Sequence, residues 1–105
     1  MAFWNVDTLE LATFRPGIMS KAEIGDDLIM VCMQIDAGKE DAGHTHPFDQ
    51  CGIVLEGRIE MFVEQERRVL KATDCYFIPA GSHHGWKTFD STVKILDISS
   101  KPPQE

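Results

Sequence analysis

HTHPFDQCGIVLEG, residues 44–57, sets ring nitrogens and an amide beside an apolar run that closes on a Glu-Gly pair. In an extended chain alternate side chains leave the same face, so His44 and His46 would sit about 6–7 Å apart along a strand. Two neutral imidazoles at that spacing can grip one divalent ion. Phe48 and Gln50 continue the same parity, and the Gln50 carbonyl oxygen offers a third, harder ligand atom. Pro47 cannot donate to a ladder, so a bend or bulge is expected there, drawing the residues on either side toward one point. Cys51 to Glu56 then reads as a strand, Glu56-Gly57 as a tight turn, and Arg58 to Val63 as the hairpin partner.

A second stretch strengthens the first. In IPAGSHHGW, residues 78–86, a Pro-x-Gly turn delivers a histidine into the next strand. Adjacent residues leave opposite faces, so the spacing selects His84 as a third imidazole and leaves His83 at the rim or at an interface.

The remaining chain sets the frame. With 105 residues there is material for one domain, residues 1–105, and 43% hydrophobic content supports a packed core. A formal charge of −7 with no cluster of Lys and Arg argues against nucleic acid. No run approaches the apolar length that spans a bilayer, and residues 1–7 lack a basic and apolar leader, so a cytoplasmic location is expected. Cys32, Cys51 and Cys75 are odd in number and widely spaced, which predicts reduced thiols acting as small core residues.

Residues 1–20 read as an irregular lead-in in which 8–11 offer a helical turn or an edge strand and Arg15-Pro16-Gly17 a turn. Short strands follow at 28–35, 69–71, 75–78, 83–89 and 93–98, separated by turns at Asp26-Asp27, Asp36 to Gly38, Glu64 to Arg68, Thr73-Asp74 and Asp90-Ser91. Residues 99–105, with Pro102-Pro103, form a surface tail. Seven to nine short strands without helical periodicity predict an all-β sandwich or barrel, with closure leaving a lumen for inward polar groups.

These motifs resemble the cupin family, whose fold is a double-stranded β-helix, a jelly-roll barrel. The first cupin motif reads here as Gly38, His44, His46, Gln50 and Gly57; the second as Thr73, Pro79, Gly81 and His84. Gln50 stands where the family usually has an acid, Thr73 where it has a glycine, and Thr88 where an asparagine often closes the second motif. The resemblance implies a divalent transition metal held by His44, His46, Gln50 and His84, with Ni, Zn, Mn, Fe, Co and Cu all compatible. An amide in place of a carboxylate does not help stabilise a trivalent state, which favours Lewis-acid use of the metal over redox cycling.

A narrower similarity is to the small cupins of pectin degradation that convert unsaturated uronates to a linear keto form. It rests on residues 44–50, Val54 to Gly57, Ile78 to Gly85 and Leu96-Asp97-Ile98, and implies Asp97 as the catalytic acid–base. The arginine expected a few residues beyond that aspartate is missing; Lys101 is the nearest basic residue and Pro103 lies about where the arginine would be. Asp97 is alternatively a structural partner of Arg58 or Lys94. Arg58, Tyr76 and Phe48 are candidate contacts to the small-molecule substrate, with solvent exposure the alternative for Arg58 and core packing for Tyr76; Met30, Met33, Met61, Phe48, Phe62, Phe77 and Trp86 read as core or pocket wall. The expectation is a homodimeric isomerase or lyase acting on a sugar acid; a dioxygenase and a non-catalytic ligand sensor are the alternatives.

Overall fold

In the structure, a computed structural model that describes residues 2–101, every regular element is a β-strand. The strands are β1 (Ala12–Arg15), β2 (Ile18–Ile24), β3 (Leu28–Ile35), β4 (Glu40–His44), β5 (Gln50–Glu56), β6 (Ile59–Val63), β7 (Glu66–Leu70), β8 (Cys75–Ile78), β9 (His84–Thr88) and β10 (Val93–Ser100). They form two antiparallel sheets, β1-β2-β3-β10-β5-β8 and β4-β9-β6-β7. From β3 onward the chain changes sheet at every connection except the β6–β7 hairpin, the winding of a double-stranded β-helix. Among the described residues no helix is long and apolar enough to cross a membrane.

Alternation builds the core. Ile35, Val54, Ile59, Met61, Val93 and Ile95 are buried between the sheets, with Met33, Tyr76 and Trp86 packed against them. On β10 the inward series runs Val93, Ile95, Asp97, so the carboxylate takes the slot after two core aliphatics. Val54 on β5 fixes the parity that turns Gly52 and Gln50 inward, and buried Ile78 on β8 does the same for Tyr76.

Several connections differ from the sequence expectation. The lead-in is not irregular throughout: β1 and the start of β2 form a hairpin around the expected turn at Pro16-Gly17. The Glu64–Arg68 turn is shorter, since only Glu64 and Gln65 turn and Arg67 and Arg68 lie in β7. Residues 40–44 are a strand, and β10 runs on to Ser100, opposite Leu28. Pro102 and Pro103 lie outside the described residues.

More consequentially, β5 and β6 are not hairpin partners. The turn at Gly57 passes the chain to the other sheet, where β6 pairs with β7 and β9. Gly57 has φ +79°, and a Cβ there would sit 2.5 Å from the Thr92 carbonyl oxygen, so this crossing requires glycine. Of the three free cysteines, Cys32 is buried but Cys75 is exposed, and Phe77 beside it is 61% exposed because it leaves the outer face of β8.

Candidate metal centre

Residues 44–50 do not form one continuous strand. His44 ends β4 in one sheet, the chain bends at Pro47-Phe48, and Gln50 begins β5 in the other. The His46 carbonyl accepts from the Gly81 N–H at 2.8 Å, and the Asp49 carboxylate accepts from the Ala80 N–H at 2.9 Å. The Pro79-Ala80-Gly81 turn thereby pins the crossing, and two segments some thirty residues apart are clasped into one rim. His84 follows directly, opposite His44 in the β4–β9 register.

The three imidazoles converge. One nitrogen from each of His44, His46 and His84 lies within 4.8 Å of the others. The His84 Nδ1 is 3.0 Å from the Ser82 carbonyl oxygen, and the His44 Nδ1 is 3.1 Å from an Asp41 carboxylate oxygen. Each contact fixes a ring and selects the opposite nitrogen for ligation. Asp41 itself accepts from the Gly43 N–H at 3.0 Å. Burial pushes its pKa up, but that bond and the His44 ring outweigh burial and hold the carboxyl low. The His46 pKa is lowered by burial first and then by the neighbouring His44 and His84.

Across the cavity stands a second polar group. The Tyr76 hydroxyl donates to the Asp97 Oδ2 at 2.5 Å, and the Gln50 Nε2 donates to the same oxygen at 2.9 Å. Burial raises the Asp97 pKa, opposed by these two donors and by the charges of His84 and His46. The Tyr76 pKa is raised by burial and then by the Asp97 charge, so the phenol stays protonated. Strand register makes the contact: Asp97, Gly52 and Tyr76 align across β10, β5 and β8. A Cβ on Gly52 would collide with the Tyr76 hydroxyl, so the phenol reaches Asp97 only because that central position has no side chain.

These residues line a cavity of about 390 Å³ whose apolar walls include Val31, Met33, Met61, Ile78, Trp86 and Ile95. They also fit a divalent ion. His84 Nε2 and Gln50 Oε1 are buried without a hydrogen-bond partner among the described residues. An orphaned buried polar atom costs about 1–3 kcal/mol, and an imidazole nitrogen and an amide oxygen are both ordinary ligands of a borderline divalent metal.

Two candidate substrate contacts lie elsewhere. Arg58 does not line the cavity: it is exposed at the start of β6, its guanidinium 5.2 Å from the Phe89 ring centroid, because the Gly57 crossing carries it to the other sheet. Phe48 is not a wall residue either; the bend at Pro47 stacks its ring on His46 at 4.7 Å and 13°. Neither Arg58 nor Lys94 pairs with Asp97, and the Lys94 ammonium donates to the Val6 carbonyl. His83 is exposed and lies against Phe62, away from the three imidazoles.

Sequence reasoning did not find Asp41 or Gly52. The Asp41–His44 spacing of three was a usable signal, whereas Gly52 matters only through register.

The cupin domain pattern matches residues 31–99. The pectin degradation protein KdgF of Dickeya dadantii (strain 3937) is 33% identical over 76 residues, spanning 71% of this chain and 69% of that protein. The structure of KdgF from a Halomonas species superposes with a TM-score of 0.85 at 30% identity, covering 98% of this chain and 96% of that one. An RmlC-like cupin from Shewanella frigidimarina NCIMB 400 gives 0.83 at 25% identity, over 100% and 94% of the two chains. With its paired sheets, its clasped histidine rim and these matches, the chain belongs to the cupin family.

Proposed function

We propose that this chain is a metal-dependent isomerase acting on a small unsaturated sugar acid, working as a cytoplasmic homodimer. The carrying observation is the placement of three convergent imidazoles and a doubly hydrogen-bonded buried carboxylate on facing walls of one cavity. The substrate class follows from the resemblance to the pectin-degradation cupins and is supported by the relative named for pectin degradation. Three free thiols support a reducing compartment, and the exposed Ile24 and Leu28 at the β2–β3 turn of the larger sheet support a second copy.

His44, His46, His84 and Gln50 would hold the ion, which supplies Lewis acidity toward substrate oxygens. Converting a cyclic unsaturated uronate to its linear keto form breaks the ring C–O bond as the anomeric hydroxyl gives up its proton and becomes a carbonyl, and the enolate released takes a proton at carbon, with no change in composition. One group that takes a proton and returns it suffices, and Asp97 is that group. Its Oδ2 is occupied by Tyr76 and Gln50, which leaves Oδ1 as the oxygen that carries the proton. The Gln50 amide has two ends with two tasks: its nitrogen aims the carboxylate and its oxygen is free for the metal. The aliphatic and Trp86 walls surround the transfer with apolar surface.

The test is Asp97→Asn. Turnover, followed as loss of the conjugated double bond's ultraviolet absorbance, is expected to fall by about 10²–10⁴-fold. Metal content by mass spectrometry should stay near that of wild type. Undiminished turnover would remove Asp97 from the reaction.

A further inference from the structure

We propose that Arg15 is the anion-recognising residue of the cavity, taking the carboxylate of the sugar acid at the mouth while the sugar's oxygens reach the histidines. The assignment rests on the sugar-acid reading above for its substrate and on four observations for its geometry. Among the cavity-lining residues Arg15 is the one Lys or Arg; the other two full charges, Asp41 and Asp97, are acidic. An anionic ligand entering beside two carboxylates in a chain of formal charge −7 meets repulsion, and this cation is the group positioned to offset it.

The backbone aims it there. Thr13 pairs with Met19 and Arg15 with Ile18, so Phe14 is an extra residue on β1 and the pairing is bulged. A regular strand sends consecutive side chains to opposite faces, but across this bulge Phe14 and Arg15 both line the cavity. The guanidinium is also uncommitted. It makes no hydrogen bond or ion pair among the described residues; its neighbours are the Phe14 ring, 5.7 Å away, and the field it exerts on Asp41. Five N–H donors in a planar fork match the two oxygens of a carboxylate, and the point charge of a lysine does not reproduce that fit.

Calorimetric titration of metal-loaded protein with galacturonate and with its neutral methyl ester tests this. Wild type should prefer the acid by about 2- to 5-fold, the range of a charge pair open to solvent. Arg15→Ala should abolish the preference while leaving ester affinity and metal content unchanged, which also verifies its fold, and Arg15→Lys should restore part of it. With the unsaturated uronate, Arg15→Ala should raise KM and leave kcat within about threefold, as loss of uniform binding does. A preference that survives Arg15→Ala, or a wild type with no preference, overturns the assignment. An intact preference lost in Arg15→Ala, in a protein that turns nothing over, supports Arg15 while ending the catalytic reading.

Discussion

The two polar walls of the cavity are held by different means. On the imidazole side, His84 is set by Ser82 and His44 by Asp41, partners two and three residues away along the chain. On the acid side, Gln50, Tyr76 and Asp97 come from β5, β8 and β10, joined across separations of 47 and 21 residues. The ring orientations of one wall are therefore set by local contacts, although β4–β9 pairing brings the rings together, whereas every side-chain contact of the other wall depends on strand register. Damage to a turn should strike the metal, whereas damage to register should strike proton transfer first and reach the metal only through Gln50.

The largest break expected is His84→Ala. It removes a buried ligand opposite His44, and metal content measured by mass spectrometry should fall well below one equivalent, with turnover lost alongside. Gly52→Ala sharpens the contrast from the other side. The new methyl group would meet both the Tyr76 ring and hydroxyl and the Leu96 backbone carbonyl, so the phenol is displaced from Asp97 and β10 must give locally beside it, while every functional group is kept. Turnover should drop by about 10²-fold, as a misplacement near 1 Å does, while metal content stays at the wild-type level. Equal loss of metal in Gly52→Ala would show the two walls to be one unit.

The smallest effect lies outside both walls. The Lys71 N–H donates to the Asp74 carboxylate at 3.0 Å in the β7–β8 turn. This bond is the main cause holding the Asp74 pKa below its ordinary 3.8. Its folded-state pKa is depressed, so the contribution is present above 3.8 and lost as the pH falls through the folded value. Thermal melts of Asp74→Ala and wild type should differ modestly at neutral pH and converge in acid, with metal content equal throughout.

The same division explains what the sequence made legible. His44, His46, Gln50 and His84 were readable because each belongs to a short segment whose spacing carries the chemistry, even though the chain bends where a straight strand was expected. Asp97 was singled out through the family resemblance, but its partners were not, since register across three strands leaves no local trace. Arg58 was left open between a ligand contact and solvent exposure for a related reason: a glycine turn looks alike whether the chain returns in the same sheet or crosses to the facing one, as it does at Gly57. Strand β1 was passed over because all four of its residues are exposed, so no burial alternation marks it. The fold as a whole was still readable, because ten short strands separated by turn residues admit few alternatives.

The seven-residue crossing from His44 to Gln50 carries a consequence for folding thermodynamics. Three of the four candidate ligands lie within that span, whereas His84 joins from 34 positions beyond Gln50. An unfolded chain keeps the first three close together, so it retains a weak chelate of its own. Metal that binds both states stabilises the fold only by the difference between them. The rise in melting temperature on loading should therefore fall short of what the native affinity alone implies, and His84 supplies much of that difference.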